Sequence, residues 1–179
     1  MILAVDVHYY EERDLARSAG LLFAGWETTA TIYSDTRETR GLQPYQPGSF
    51  YLRELPCILP LIKGILATRA GGREPVRTII VDGYVDLGEA PGLGRRLLDA
   101  FADESNLAPP RVVGVAKTWY EGARGAVPVL RGKSESPLYV TASDDLEEAV
   151  EGVKRMAGMH RIPELLRKVD LLARGTRIA

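Results

Sequence analysis

The sequence predicts an α/β fold in which a mixed sheet is flanked by helices. Three β-rich segments open the chain, and the short connections between them favour an antiparallel meander. Further along, buried-looking β segments alternate with helical segments, which is the pattern of parallel βαβ units. A pair of short strands and two helices complete the predicted order βββ-α-β-α-β-ββ-α-α, and residues 1–179 are expected to form a single domain.

Each element is predicted from its residue pattern and from the turn residues that bound it. In chain order, the predicted elements are strands over 2–9, 17–26 and 28–36, a helix that lasts to about 69, a strand over 77–81, a helix over 93–104, strands over 112–116, 127–131 and 138–141, and helices over 143–156 and 163–173. Pro56 suits the first turn of the first helix, whereas Pro60 should kink that helix if it continues.

The composition is that of an ordinary soluble globular protein, with 45% apolar residues, 26% charged residues and a net charge of −1. This balance argues against a broadly basic nucleic-acid-binding surface but leaves a local basic strip open. The single cysteine, Cys57, excludes an internal disulfide framework and a cysteine-rich zinc site, and its apolar surroundings favour core packing over a nucleophilic role. With no visible signal peptide and no apolar run of membrane-spanning length, a cytoplasmic location is expected.

A proline-rich stretch separates the meander from the first helix. Two prolines and a glycine between Pro44 and Gly48 exclude regular structure and predict a rigid loop that carries Tyr45. Glu54 follows at or just before the helix start, where the helix dipole favours a carboxylate. A plain helix-start residue and a functional residue both fit this position, although the mostly apolar neighbours disfavour a purely solvated glutamate.

Two further carboxylates occupy special positions on predicted strands. Asp6 lies inside the first strand, where aspartate is disfavoured, and Asp82 ends a buried strand at the edge where α/β proteins place ligands. Together with Glu54 they would repel one another unless they share a cation, and oxygen ligands suit Mg²⁺ or Mn²⁺. Such an ion would activate a water on a phosphodiester, and Lys117, at the end of the next buried strand, could neutralise phosphate charge. Taken singly, each residue fits a structural role as well as a functional one: Asp82 as a turn former at the end of a strand, and Lys117 as a solvated residue at a strand terminus.

The order and spacing of these motifs resemble the endonuclease V (deoxyinosine 3′ endonuclease) family across nearly the whole chain. The motifs that carry the resemblance are Asp6 in Ala-Val-Asp-Val, Pro-Tyr-Gln-Pro-Gly from Pro44, Leu-Arg-Glu54, Val-Asp82-Gly, Gly-Val-Ala-Lys117 and His-Arg-Ile-Pro-Glu from His160. The resemblance implies a ribonuclease H-like fold, which agrees with the predicted topology. It also implies Mg²⁺- or Mn²⁺-dependent cleavage of DNA or RNA at the second phosphodiester on the 3′ side of a deaminated base such as inosine.

By motif, the resemblance assigns the catalytic roles to Asp6, Glu54, Asp82 and Lys117. It assigns the nucleic-acid contacts to Pro44, Tyr45, Pro47 and Gly83. The three carboxylates of the first set are the implied metal ligands. The proline-stiffened tyrosine of the second set is an implied wedge that enters the duplex beside the lesion, where unstacking must be offset by new stacking. Packing of that tyrosine on its own prolines is the alternative.

The chain departs from the family at two places. The histidines that follow Val-Asp-Gly in the family are absent after Gly83, so the lesion pocket is altered. The family's metal-site histidine before the penultimate helix aligns with Asp144, which is either a further metal ligand or simply a helix N-terminal residue. These departures leave a second hypothesis open, namely a non-catalytic or altered-specificity nucleic-acid-binding member of the same fold.

The chain has two histidines, and neither belongs to a recognisable metal motif. His8 lies two residues beyond Asp6, so both side chains share one face of the strand, about 6–7 Å apart. For His8, a phosphate or substrate contact and packing at the rim of the sheet are both open. His160 is expected to pack before the last helix. Arg161 and the basic residues that follow it either contact phosphates or form a solvated face.

Overall fold

The computed structural model describes residues 1–44, 49–69, 74–102 and 110–176. The strands are β1 (Ile2–Tyr10), β2 (Leu15–Phe23), β3 (Tyr33–Arg40), β4 (Thr78–Val81), β5 (Asp86–Leu87), β6 (Ala90–Pro91), β7 (Arg111–Ala116), β8 (Val127–Val129) and β9 (Leu138–Ala142). The helices are α1 (Tyr51–Arg69), α2 (Leu93–Ala102), α3 (Leu146–Arg155) and α4 (Glu164–Ala173). Every segment predicted as a strand or helix therefore contains an element of that type.

The main sheet has seven strands in the order β3-β2-β1-β4-β7-β9-β8 among the described residues. The first three strands form the predicted antiparallel meander, and β1, β4 and β7 run parallel to one another. The last two strands pair antiparallel, and β9 also pairs antiparallel with β7. The predicted mixed sheet is confirmed. Strands β5 and β6 form a separate two-stranded ribbon between β4 and α2.

The third strand lies later in the chain than its prediction of 28–36. It pairs with β2 from Leu22 opposite Tyr33 to Leu15 opposite Arg40. At the far end of this pairing, the Asp14 carboxylate accepts hydrogen bonds from the backbone N–H groups of Gly41 and Leu42, at 3.1 and 2.8 Å. Most side chains of β3 are exposed because it is an edge strand. Its sequence therefore lacks the alternation of apolar and polar residues by which strands are recognised.

Helix α1 continues through both of its prolines. Neither Pro56 nor Pro60 has a backbone N–H, so two intrahelical hydrogen bonds cannot form. The helix persists because one side of it is buried against the sheet, through Cys57, Ile58, Leu61, Ile62 and Ile65. The expected core role of the single cysteine is confirmed by this burial. Among the described residues, no helix is both long and apolar enough to cross a membrane.

The sheet separates two apolar layers. Ile2 and Ala4 on β1 face the layer formed with α3 and α4, whereas Leu3 and Val5 face the layer formed with α1 and α2. Side chains alternate along a strand, so Asp6 continues the series that faces α4. The strand thereby directs one carboxylate towards the last helix at the edge of the sheet.

Candidate functional site

The ends of β4 and β7, and the end of the parallel pairing between β1 and β4, bring predicted site residues to one edge of the sheet. Val5 on β1 pairs with Val81 on β4, so Asp6 and Asp82 follow at equivalent positions on neighbouring strands. Such neighbours lie about 4.8 Å apart in the hydrogen-bonding direction. Lys117 directly follows β7, and its Nζ lies 2.5 Å from Asp82 Oδ2. The structure thus places two of the predicted carboxylates and the predicted lysine beside one another.

A glycine on β7 allows this arrangement. A Cβ atom on Gly114 would lie 2.5 Å from the carbonyl oxygen of Gly83 and 2.6 Å from the Thr141 hydroxyl oxygen. The turn that follows Asp82 can therefore lie directly against β7 because Gly114 has no side chain. Gly83 itself has a φ of +148°, which favours glycine at the start of this turn.

Glu54 approaches the same edge from the first turn of α1. Its side chain is only 3% exposed, and its Oε2 atom has no hydrogen-bond partner among the residues that the structure describes. Burial raises the pKa of Glu54, and the nearby charges of Asp6 and Asp82 raise it further, whereas Lys117 acts in the opposite direction. The glutamate therefore shares the electrostatic environment of the two strand-end aspartates. A buried carboxylate oxygen without a partner is costly unless a proton or a cation compensates it.

The neighbouring residue Arg53 fixes the first turn of α1 against the meander. Its guanidinium is buried, lies 4.0 Å from the centre of the Tyr9 ring, and donates a hydrogen bond to the Glu11 carboxylate. Cation–π and charge-assisted contacts of this kind restrict the orientation of both partners. The helix start, and with it the Glu54 backbone, is thereby tied to the end of β1.

Asp6 on β1 is held in place by burial and by a hydrogen bond. It is buried, and its Oδ1 accepts a hydrogen bond from the backbone N–H of Val7 at 2.8 Å. Burial and then the charge of Asp82 raise the pKa of Asp6 from 3.8 to about 7, against the opposing effect of Lys117. Near neutral pH this carboxyl group is therefore poised between its protonated and ionised forms.

A fourth carboxylate at this edge, Asp170 on α4, was not predicted. It lines a cavity of about 110 Å³ together with Asp6, Asp82 and Lys117, and both of its oxygens accept hydrogen bonds from Arg174 Nε at 3.0 Å. Its charge contributes to the raised pKa of Asp6. Its position is the feature that could have identified Asp170 as a site residue. It directly follows buried Val169 on an amphipathic helix and is itself partly buried.

The structure does not bring the predicted metal ligand Asp144 together with the other predicted carboxylates, because Asp144 lies at the opposite edge of the sheet. It is 70% exposed, and its Oδ1 lies 3.8 Å from Nε of Arg111, the first residue of β7. Strand β7 has six residues, so Arg111 and the last residue of the strand, which Lys117 follows, lie about 16 Å apart at the usual rise. Because β9 runs antiparallel to β7, the chain after β9 emerges at this opposite edge. The cap of α3 is Asp145, which accepts a hydrogen bond from the Glu148 backbone N–H at 3.1 Å.

The chemistry of the donor set fits a hard divalent cation. The carboxylates of Asp6, Glu54, Asp82 and Asp170 supply oxygen ligands, and the unpartnered Glu54 oxygen gives a physical reason for a cation. Within the described residues, no three His, Cys, Asp or Glu side chains are already arranged to hold an ion.

A second, larger cavity of about 590 Å³ adjoins the carboxylates. It shares Asp82 and Lys117 with the site and is lined by the main chain at Gly83. Its aromatic walls consist of Phe50, Tyr51, Tyr84, Trp119 and Tyr120. The Tyr84 hydroxyl group donates to the Thr118 carbonyl at 2.6 Å and accepts from the Tyr120 backbone N–H at 3.1 Å. The cavity thus combines flat aromatic side chains with direct access to the charged groups.

The other predicted residues have the following places. Tyr45 and Pro47 lie outside the described residues, and the described Pro44 is exposed and belongs to no helix or strand. His8 is partly buried and packs edge-on against Tyr10, with ring centres 4.8 Å apart. Burial lowers the pKa of His8, as does the charge of Arg174.

Arg161 stabilises the main chain beside the site. Its guanidinium donates hydrogen bonds to the backbone carbonyls of Lys117 and Pro137, the latter at 2.7 Å. Next to it, the His160 carbonyl accepts a hydrogen bond from Arg131 Nη1 at 3.2 Å. The buried Arg131 donates to several further carbonyls, one at the end of α3 and the others in the segment between α3 and α4. Through Arg161, this segment therefore restrains the main chain at Lys117.

Comparison with known proteins gives a relationship over nearly the whole chain. No family model matches the sequence. Endonuclease V from Streptomyces coelicolor is 27% identical over 196 aligned positions, which cover 97% of this chain and 77% of that protein. The chain is thus similar to endonuclease V over nearly its whole length.

Solved endonuclease V structures give the same fold. Endonuclease V from Streptomyces avermitilis is 27% identical with a TM-score of 0.69, and the match covers 97% of this chain and 79% of that one. Endonuclease V from Ciona intestinalis, solved with a 24-mer DNA containing an inosine followed by a ribo-adenosine, is 19% identical with a TM-score of 0.78, over 97% of this chain and 84% of that one. These structures confirm the predicted ribonuclease H-like fold.

Proposed function

We propose that this endonuclease V relative is a Mg²⁺- or Mn²⁺-dependent endonuclease that cleaves a nucleic-acid strand 3′ to a deaminated base such as inosine. The observation that carries the proposal is the meeting of Asp6, Asp82 and Lys117 at one sheet edge beside the buried, unpartnered oxygen of Glu54. The relationship to endonuclease V supports the same reaction class.

The carboxylates of Asp6, Glu54, Asp82 and Asp170 would hold the cation. When bound, the ion would supply an activated water and stabilise charge on the phosphodiester. Asp6 and Glu54 have raised pKa values without the ion, chiefly because of burial. Ion binding at this edge therefore requires proton loss from these two groups, which makes the proposed affinity pH-dependent.

Lys117 is proposed to contact the phosphate as a cation. Burial lowers the pKa of Lys117, but the charge and hydrogen bond of Asp82 outweigh this effect and raise it. A lysine with a raised pKa stays protonated at neutral pH and cannot serve as a general base. Its partly exposed ammonium group can instead stabilise negative charge that develops on the phosphate and on the departing oxygen.

The adjoining cavity supports the proposed choice of substrate. A volume of about 590 Å³ falls in the range of small-molecule sites, so it can admit one nucleobase turned out of the strand. The Tyr84 hydroxyl group is already engaged by main-chain partners. We therefore expect an inserted base to be held by stacking and by main-chain groups near Gly83.

Strand cleavage tests the proposal directly. Labelled single- and double-stranded DNA and RNA, each with one inosine or none, are incubated in Mg²⁺ or Mn²⁺ with the wild-type protein and with Asp82→Ala. Cutting 3′ to inosine that is lost in the variant supports the proposal. Metal-dependent cutting without regard to inosine keeps the nuclease and overturns the base preference. Absence of cutting on every substrate, with a folded protein, overturns the enzymatic function.

A non-catalytic nucleic-acid-binding protein is the second candidate. The observation that favours it is the replacement of the family's histidines by the segment from Tyr84 to Pro91, which includes the β5–β6 ribbon. This candidate predicts binding of nucleic acid with no cleavage and with no rise in melting temperature on addition of divalent metal. The catalytic candidate predicts cleavage and a rise in melting temperature on addition of divalent metal.

A further inference from the structure

We propose that Phe50, Trp119 and Tyr120 form an aromatic rim that stacks on unpaired bases next to the cleaved phosphodiester, so that the substrate is single-stranded or locally unpaired nucleic acid. This inference rests on the proposed function, because that function places the reacting phosphate at Lys117. It adds the strand state of the substrate and the residues that select it.

The exposure of these side chains is the first observation. Among the described residues, the large apolar side chains that are exposed are Ile32, Phe50, Leu52, Trp119, Tyr120, Leu130 and Met159. The three aromatic members of this set all line the same cavity of about 590 Å³. Trp119 and Tyr120 are each 47% exposed. Exposed apolar side chains that gather around one concave surface indicate a binding site, whereas scattered ones do not.

Two rings of the rim also pack against other aromatic side chains. The Trp119 ring packs at a tilt against Tyr139, with centres 5.2 Å apart, and the Tyr120 ring packs against Tyr84 at 6.4 Å. The Tyr120 backbone is held at both of its polar groups, since its N–H donates to the Tyr84 hydroxyl group and its carbonyl accepts from Ala123 N–H at 2.9 Å. Rings that are ordered before binding lose less conformational entropy when a base stacks on them.

The position of the rim defines what it can hold. Trp119 is two residues beyond Lys117, and consecutive Cα atoms are about 3.8 Å apart, so a base adjacent to a phosphate at Lys117 reaches the rim. In a duplex, both faces of each base are covered by its neighbours. Only a base that has left the stack can place its face on an aromatic side chain. The rim therefore favours strands whose bases are unpaired before binding, because a base of a duplex must first be unstacked and unpaired.

Stacking also suits the charge of this protein. The net charge is −1, so a broadly basic surface does not supply affinity here. Stacking on aromatic side chains contributes to binding and tolerates any base, because every base has a flat face. Affinity that comes from stacking depends less on salt than affinity that comes from phosphate contacts.

Binding is measured separately from cleavage, in Mg²⁺ and in the Asp82→Ala background. Fluorescence anisotropy gives the affinities for a labelled single strand, for the same strand with abasic positions, and for the blunt duplex. In that background we expect Trp119→Ala to weaken single-strand binding about 5- to 100-fold and Trp119→Phe to retain most of the affinity. Ile32→Ala is the matched control, because Ile32 is 46% exposed and lies outside the cavity lining.

Two signatures separate stacking from a loss of structure. Tryptophan fluorescence should be quenched by the single strand in the parent protein and not in Trp119→Phe. The abasic strand should bind the parent and Trp119→Ala equally. Equal weakening of single strand and duplex by Trp119→Ala, or a change below about twofold, overturns the inference. If the wild-type protein cleaves but the rim substitutions do not change binding, this inference is overturned and the proposed function stands. If the rim substitutions weaken binding but the wild-type protein does not cleave, the proposed nuclease activity is overturned and this inference stands.

Discussion

Lys117 Nζ and Asp82 Oδ2 lie 2.5 Å apart, although the two side chains leave separate, parallel strands. The pair is partly exposed, so we expect it to contribute at most about 1 kcal/mol to stability. Its more important effect is electrostatic. The aspartate keeps Lys117 protonated, and the lysine lowers the cost of ionising Asp6 and Glu54.

Replacement of Lys117 should separate catalysis from stability. Lys117→Met is expected to reduce strand cleavage about 100-fold or more, because a cation is lost next to the reacting phosphate. Its melting temperature should stay within a few degrees of wild type. Lys154→Met is the matched control, since Lys154 is 46% exposed against 44% for Lys117 and is paired with Glu151 at 2.6 Å. Equal activities of the two variants would contradict the role of Lys117.

The stability of the metal-free protein should fall as the pH rises. The pKa of Asp6 is raised from 3.8 to about 7, first by burial and then by Asp82. The folded state thus holds this proton more tightly than the unfolded state, so the associated stability is fully present below pH 3.8 and is lost as the pH rises through about 7. Urea unfolding in chelator at pH 5 and pH 8 measures the loss. Asp6→Asn should reduce it, whereas Asp99→Asn, an exposed acid on α2, should not.

Divalent metal should restore stability at high pH through Glu54. Mn²⁺ is expected to raise the melting temperature, and to do so more at pH 8 than at pH 6, because the ion competes with protons for the carboxylates. Glu54→Gln should diminish this rise. The same substitution should leave the metal-free protein at pH 8 as stable as wild type or more so, since it removes a buried charge without a partner. A metal response that is unchanged in Glu54→Gln would exclude this residue as a ligand.

Asp170 and Asp144 offer a direct comparison of two candidate ligands. Asp170→Asn should lower cleavage and metal-induced stabilisation, because this residue lines the cavity with Asp6, Asp82 and Lys117. Asp144→Asn should leave both unchanged, because its nearest charged partner is Arg111 at the opposite sheet edge. The reverse result, with Asp144 required and Asp170 dispensable, would contradict the placement of the site. Circular dichroism of both variants checks that each remains folded.

The sequence predicts residues well where their strand signals are strong. Asp6, Asp82 and Lys117 adjoin or lie within apolar β segments, and the in-register parallel pairing of these segments places the three residues at one edge. Asp144 was assigned from motif alignment, whereas the antiparallel direction of β9 takes it to the other edge. Asp170 carries no motif of its own, and only its packing on α4 identifies it. The strand β3 was misplaced because an edge strand does not need an apolar face.

Two helix glycines provide a test of packing far from the carboxylates. A Cβ atom on Gly152 of α3 would lie 2.3 Å from the Trp26 ring, whose Nε1 donates to Glu148 Oε1 at 2.9 Å. Gly152→Ala must displace this indole and should cost about 1–3 kcal/mol. A Cβ atom on Gly64 of α1 would meet no atom of the described residues within 4 Å beyond its own helix and chain neighbours. Gly64→Ala should therefore stabilise the folded protein by about 0.5–1 kcal/mol.

Thermal unfolding of both variants measures the difference. For a chain of this size, each 1 kcal/mol corresponds to a shift of about 2–4 °C in melting temperature, so the two alanine variants should move in opposite directions. Cleavage at a temperature where both are folded should match wild type, because neither glycine adjoins the carboxylates. A stabilised Gly152→Ala would show that the indole of Trp26 is not seated against α3.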